Sequence, residues 1–394
     1  MQMPVNNSLQ KTFAEFFSGI GLMRIGLERQ GWKIVFANDI DAQKREMYRA
    51  NCPNSDSYFH LGDIHKLSIS QIPSIGLATA SFPCNDLSLA GGRDGLKGKN
   101  SSAFWGFMQI IKEMRSNRPR LILIENVPGF LTSRCGRDFE DAMVALNDLG
   151  YSVDPFIIDA ASFVPQSRQR LFVVGSRISD SASGLIAERF YQSSVRPSAL
   201  ADFIFGHPNI KWNIRQLPDP PRTSLRLEDI LEDIPNTAPE WWSKERSKYL
   251  LDQMSHRHRE IADKMTVSRA WSYGTVFRRV RNGRSMAELR TDGLAGCLRT
   301  PRGGSGRQIL FKAGRGTYHA RLLTPRECAR LMGVGNFKIA VPLNQALFGF
   351  GDAVCVPVIE WIAENYLNPL WNEHLARPVQ ARNKQGLVEY TVAF

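Results

Sequence analysis

Three kinds of side chain in the first half of this sequence suit covalent chemistry on an electron-poor ring: the thiol of Cys84, the carboxyl of Glu125 and the guanidinium of Arg168 or Arg170. Cys84 lies in the run Ala80, Ser81, Phe82, Pro83, Cys84, Asn85, Asp86, Leu87, Ser88, ahead of the glycine-rich stretch Gly91, Gly92, Arg93, Asp94, Gly95. Glu125 closes an apolar run, and Arg168 and Arg170 stand at the start of another. A thiolate can add to a ring carbon, a protonated carboxyl can hydrogen-bond a ring nitrogen, and a guanidinium can stabilise a carbonyl oxygen. Each residue also has an ordinary role open to it. Free cysteines are often core residues, a strand-end carboxylate can be satisfied locally, and most arginines are surface charges.

A second group of residues suits a nucleoside. Phe17, Ser18, Gly19, Ile20 and Gly21 form a Gly-x-Gly turn between a strand and a helix, which lets a ligand approach the backbone. The turn lacks the third glycine of the dinucleotide fingerprint, which argues against a nicotinamide dehydrogenase. Asp39 follows about twenty residues later, where an acid can bond ribose hydroxyls, although it could equally cap a helix. Asp63 suits either an adenine amino group or a turn.

These residues need a sheet to bring them together. Residues 12–17, 33–37, 75–80, 121–124, 156–158 and 171–174 read as strands, with helical patterns between several of them. This alternation predicts a doubly wound, mostly parallel α/β sheet, with ligands at the carboxyl ends of the strands. Thr324, Pro325 and Glu327 form a helix-start signature, with a capping-box pair and proline at the first helical position.

The composition is that of a soluble globular chain, with 43% hydrophobic and 22% charged residues in 394. No apolar run approaches the ~20 residues of a membrane span, and the N-terminus lacks a signal-peptide pattern. Cys52, Cys84, Cys135, Cys297, Cys328 and Cys355 contain no CxxC pair, so neither zinc nor a disulfide framework is indicated. A reduced, cytoplasmic protein is expected. The formal net charge of +12 favours a polyanionic partner. Much of it lies in a glycine-interleaved segment with Arg278, Arg279, Arg281, Arg284, Arg290, Arg299, Arg302, Arg307, Lys312 and Arg315. Basic side chains on such a segment suit phosphate and base-edge contacts. His256 and His258 read as part of a basic surface helix, and Trp241 and Trp242 as core or joint.

The succession FSGIG, NDID, GDI, FPCNDLS, ENV, QSRQR, a long basic insert, RLLTPRECARLMG and FGDAV resembles the DNA (cytosine-5)-methyltransferases. The resemblance spans residues 13–175 and 321–362. It implies a Rossmann-like, S-adenosylmethionine-dependent methyltransferase fold with an inserted target-recognition domain. The expected units are a catalytic domain in two parts, 9–175 and 318–368, a recognition domain at 176–317 and a tail at 369–394. It further implies that Cys84 is the nucleophile toward C6 of a flipped-out cytosine and that Glu125 engages N3 and the exocyclic amine. Arg168 would hold O2 and Arg170 would support the site. Phe17, Gly19, Ile20, Gly21, Asp39, Ile40, Asp63, Pro83, Phe104 and Asp352 would line the S-adenosylmethionine site. Asn85, Ser88, Arg299, Thr300, Arg302, Gly303 and Gly304 would face the DNA.

The chain departs from the family pattern in three places. Asn85 replaces the usual glutamine and reaches less far. Asp352 replaces an asparagine, and an ionised carboxylate cannot donate a hydrogen bond. Ile40 replaces a frequent aromatic. The implied activity is site-specific modification of double-stranded DNA, by a monomer, within a restriction-modification system that includes a partner endonuclease. A tRNA cytosine-5 methyltransferase and a catalytically silent DNA-binding protein are the alternatives. No metal and no membrane are expected.

Overall fold

The computed structural model describes residues 10–83, 102–177, 192–281, 283–300 and 306–376, with the backbone of 381–382 and 388–389. Cys84, Asn85, Ser88, Arg302, Gly303 and Gly304 therefore lie outside the described residues.

Seven strands form the large sheet: β1 (Thr12–Phe16), β2 (Lys33–Asp39), β3 (Phe59–Leu61), β4 (Leu77–Ala80), β5 (Leu121–Asn126), β6 (Ser152–Asp159) and β7 (Gln169–Ser176). Their order is β3-β2-β1-β4-β5-β7-β6. The neighbours from β3 through β5 are parallel, as expected, whereas β7 runs antiparallel to both β5 and β6. The reversal follows from chain length: the link 160–168 is shorter than the crossover of about a dozen residues that a parallel pair requires.

The central strands are apolar throughout because both faces of the sheet are covered. Leu121 and Leu123 of β5 enter one core cluster, and Ile122 and Ile124 enter the other. On the first face lies α1 (Leu22–Arg29), and α2 (Ala42–Asn51) follows β2. The second face carries α3 (Ser102–Glu113) and α5 (Arg137–Asp148), with the single turn α4 (Gly129–Thr132) before α5. α6 (Ser198–Gly206) belongs to this second face too, through Leu200, Ala201 and Ile204. The adjoining backbone pairs Val153 with Trp212, and Arg196 makes a buried 2.6 Å ion pair with Asp154. The beginning of the expected recognition domain is thus packed into the catalytic core.

A separate core starts further on. After the turn α7 (Leu227–Ile230), α8 (Lys244–Asp252) and α9 (His256–Val267) cover one face of an antiparallel sheet. Its strands are β8 (Ser272–Arg281), β9 (Arg284–Arg290), β10 (Ile309–Gly314) and β11 (Thr317–Leu322), in the order β11-β10-β8-β9. The boundary expected at residue 317 cuts into β11, whose six paired residues hold it in this sheet. Trp242 packs against this second core, while Trp241 contacts the first.

α10 (Pro325–Leu331) begins with the expected capping box, Thr324 with Glu327, and with proline at its start. It is followed by α11 (Leu343–Asp352), α12 (Val356–Ile362), a π-helical turn and α13 (Asn368–Ala376). The stretch 343–376 contains an 18-residue window apolar enough for a membrane span, a length not evident from the sequence reading, but 72% of it is buried in the protein. α13 is core rather than tail. Trp371 meets Trp32 edge-on at 5.2 Å and fills the space beside Gly76, where a Cβ would come within 2.5 Å of its ring. Asn368 accepts from Lys11 Nζ at 3.1 Å and from Trp32 Nε1 at 2.9 Å. Trp371→Ala is therefore expected to lower the unfolding free energy by about 3–5 kcal/mol in a urea titration, and a loss below about 1 kcal/mol would show that α13 is dispensable.

Candidate active site

The strand order reverses between β1 and β4, which is where open α/β sheets bind ligands. A shallow cleft opens there, lined by Phe17, Ser18, Gly19, Ser81, Asp352 and Val354, with Glu15 among its lining residues. Phe17 leaves β1 at a φ of 56° and Gly19 has a φ of +55°, so the chain turns sharply before α1 starts behind Gly21. A Cβ at Gly19 would meet nothing within 4 Å, so backbone is open to a ligand on that side.

Asp39 serves this turn. One carboxylate oxygen accepts Gly19 N at 2.7 Å and the other accepts Asp41 N at 2.8 Å. The cap of α2 is Asp41, not Asp39. Burial raises the Asp39 pKa, with nearby Lys44 and the two amide donors opposing the shift. Ile40, next to it, is 71% exposed and offers an apolar surface at the rim. Asp63 is half-buried and caps a short turn by accepting His65 N at 3.0 Å. Pro83 is exposed, while the Ile20 side chain belongs to the core. Phe104 corrects the sequence reading. It is fully buried between Phe82 and Trp105, so it supports the wall from behind instead of forming it.

The cleft is acidic, with Glu15, Asp39 and Asp352 in or beside it. Glu15 is buried and accepts Arg24 N at 3.2 Å and Tyr48 Oη at 3.4 Å. Burial pushes its pKa from 4.5 up to about 8 despite the neighbouring Arg24.

The reactive groups adjoin the cleft. Glu125, at the end of β5, accepts a short hydrogen bond from Ser81 Oγ and forms a 2.9 Å ion pair with Arg170 Nε. Ser81 also lines the cleft, so one side chain touches both the ligand space and the acid. Asn126 donates to Phe82 O at 3.2 Å and anchors the segment leading to Cys84.

The two arginines do not have the roles expected from the sequence. Arg168 is 2% exposed and donates to Leu298 O at 2.8 Å, Gly351 O at 3.1 Å and Ala353 O. Burial, and secondarily the like charge of Arg170, lower its pKa. Its guanidinium is occupied by backbone, and Arg170 is the one that faces Glu125. Cys297 lies beside both, with Sγ 3.4 Å from Arg168 Nη1 and 3.9 Å from Arg170. Burial opposes ionisation of this thiol, but Arg168, Arg170 and Arg299 outweigh it and hold its pKa below the ordinary value. Of the DNA-facing candidates described, Arg299 is exposed, while the Thr300 hydroxyl bonds Asp352.

Sequence reasoning missed Ser81, Glu15, Lys44 and Cys297. Glu15 carried a signal, a charge inside an apolar strand. Ser81 carried one through its place beside Pro83 and Cys84. Lys44 and Cys297 carried none.

Residues 11–368 match the family model of the C-5 cytosine-specific DNA methylases. The chain belongs to this family. It is a DNA cytosine-5 methyltransferase. The Type II methyltransferase M.DsaV of Dactylococcopsis salina is 30% identical over 364 residues, covering 91% of this chain and 86% of that relative. M.HhaI of Haemophilus parahaemolyticus is 26% identical over 357 residues, covering 90% of the chain and 93% of the relative. Among solved structures, S. pombe Dnmt2 aligns with a TM-score of 0.59 at 19% identity, covering 91% of this chain and 98% of that one. The Entamoeba histolytica methyltransferase EhMeth aligns at 0.61 with 16% identity, covering 93% and 99%. These two likenesses bear on the fold, which is that of S-adenosylmethionine-dependent methyltransferases.

The raised pKa of Glu15 makes the enzyme's stability depend on pH. The unfolded chain releases this proton near pH 4.5 and the folded chain near 8, so the stability it confers is full below 4.5 and is lost as pH rises through about 8. Glu15→Gln keeps the neutral form at every pH. In thermal melts at about pH 5 and about pH 8.5 its advantage over wild type should widen with pH, and a constant difference would refute the assignment.

Proposed function

We propose that the enzyme methylates C5 of cytosine at a specific site in double-stranded DNA, with S-adenosylmethionine as donor, as the modification half of a restriction-modification system. In this reading it acts as a monomer on DNA in the cytoplasm, alongside a partner endonuclease. The observation that carries the reading is the bracketing of Glu125 by Ser81 and Arg170. It joins an acid, a guanidinium and the segment leading to Cys84 at the mouth of the cleft at the β1–β4 switch point.

The cleft fits the donor. Its carboxyl groups offer acceptors to ribose hydroxyls, and none of its described lining residues is a cation that would grip a pyrophosphate. Asp39 would accept ribose hydroxyls, Ile40 would cover the adenine, and the open backbone at Gly19 would approach the methionine portion. When bound, the donor supplies an electrophilic methyl on a sulfonium.

The cytosine must leave the stack before its ring carbons can be reached. The Cys84 thiolate then adds to C6, which turns C5 into a nucleophile. Glu125 hydrogen-bonds N3 and the exocyclic amine, where electron density collects. Arg170 orients Glu125 and reaches O2, the role expected earlier for Arg168, whose donors face Leu298, Gly351 and Ala353. After methyl transfer, loss of the C5 proton and departure of the Cys84 sulfur restore the aromatic ring.

Labelled-methyl incorporation into duplex DNA tests the mechanism. Cys84→Ala should abolish it, and Glu125→Gln should lower kcat by about 10²-fold or more. Arg170→Ala should lower kcat with little change in melting temperature. Arg168→Ala should instead cost about 3 kcal/mol or more of stability, because it leaves the carbonyls of Leu298, Gly351 and Ala353 without their donor. Full activity of Cys84→Ala would reject the mechanism, and methylation of tRNA in preference to duplex DNA would reject the substrate. Bisulfite sequencing of DNA from a host expressing the chain would supply the sequence context.

A further inference from the structure

The segment 298–300, ahead of the glycine- and arginine-rich stretch, lies directly on the C-terminal end of α11, which rims the cleft. A Cβ on Gly351 would come within 2.6 Å of the Arg299 carbonyl carbon and of Thr300 N, so the two backbones meet with no side chain between them. Asp352 joins them. One of its carboxylate oxygens accepts the Thr300 hydroxyl, and the other accepts Lys44 Nζ at 2.7 Å. Lys44 lies in the first turn of α2, shortly after Asp39, and Asp352 lines the cleft. The contact thus unites the recognition segment, the helix behind the ribose site and the cleft wall.

The Lys44–Asp352 pair is not well placed to stabilise the fold. The Asp352 side chain is 45% exposed, and pairs this open contribute little to stability. Its position relative to Asp39 gives it another use. Lys44 has three carboxylates within electrostatic reach, Asp352, Asp39 and more weakly Asp41, which together outweigh the effect of burial and keep it charged. Held by Asp352, the ammonium leaves the Asp39 carboxylate to hydroxyl donors. Released from Asp352, it is drawn toward Asp39 and competes with them. An asparagine at 352 could accept from Thr300 but would offer Lys44 no charge, so the departure Asp352 and the cation Lys44 belong together.

We propose that Thr300, Asp352 and Lys44 form a clasp that couples the two substrate sites, so that DNA held at the recognition segment tightens cofactor binding and cofactor tightens DNA binding. The coupling is reciprocal by thermodynamic linkage. It rests on the reading of the cleft as the S-adenosylmethionine site and of the arginine-rich segment as a DNA contact. The ligand whose affinity changes is the nucleoside cofactor, and the residues involved position Asp39 rather than touch the reacting atoms.

Calorimetric titration of the full-length protein with S-adenosylhomocysteine tests this, with and without a duplex oligonucleotide carrying the site found by bisulfite sequencing. Wild type should bind about fivefold or more tightly with DNA present. Thr300→Val should lose that gain, and Thr300→Ser, which keeps the hydroxyl, should retain it. Asp352→Asn should weaken binding without DNA by about three- to fivefold, because it frees Lys44 to reach Asp39. The double variant Lys44→Gln with Asp352→Asn should recover DNA-free affinity but not the coupling. A Thr300→Val protein with the full DNA-dependent gain would overturn the clasp, as would a double variant as weak as Asp352→Asn alone. Wild-type protein that binds no S-adenosylhomocysteine at all would instead overturn the cofactor reading.

Discussion

The arrangement of this enzyme depends on a buried cation. Arg168 sits at the start of β7 with its guanidinium almost removed from water, where an unsatisfied charge would be costly. Its two terminal nitrogens donate to the carbonyls of Leu298, Gly351 and Ala353, which belong to segments more than a hundred residues away in the chain, while Nε has no partner among the described residues. That requirement draws Leu298 and the C-terminal end of α11 to the same point at the sheet edge. Gln166 reinforces it, accepting Leu298 N at 3.1 Å and donating to Leu331 O at 2.8 Å. Arg170, two residues further on, is thereby presented to Glu125.

The charges are sorted by function. The ligand cleft is lined by Glu15 and Asp352, while Arg279 and Arg281 on β8 are half exposed or more, with Glu288 between them as a counter-charge. Glu125 and Arg170 form a pair shielded enough for its hydrogen bonds to be strong.

The run RLLTPRECARLMG shows how a sequence motif can be mostly architectural. Arg321 is fully buried and makes a two-pronged contact with Glu327, with Nη1 to Oε2 at 2.7 Å, while Thr324 and Glu327 close the capping box of α10. Arg330 donates to the carbonyls of Ile230 and Leu231, and Arg326 to those of Gly335 and Phe337. The motif fastens the end of the second sheet to the catalytic core. Its charged residues hold the chain in place instead of meeting substrate.

Local chemistry made much of this legible in the sequence alone. The apolar runs of β1, β4 and β5, the positive-φ turn at Gly19, the capping box at Thr324 and the order of the motifs depend on neighbours in the chain, and they determined the fold class and the position of Glu125 at the ligand edge. Other features depend on partners hundreds of residues away. Nothing local distinguishes Arg168, just before β7, from Arg170, just inside it, and only the distant carbonyls decide which is committed to structure. The same holds for Phe104, whose ring is covered by Phe82 and Trp105, and for Trp371, which becomes core by filling the space beside Gly76. Asp352 reads in sequence as a lost amide, and only the packing of α2 against the loop after α11 supplies the lysine that makes a carboxylate useful there. A side chain's role was legible where the backbone around it sets its environment, and was decided by tertiary structure where burial and long-range charge do.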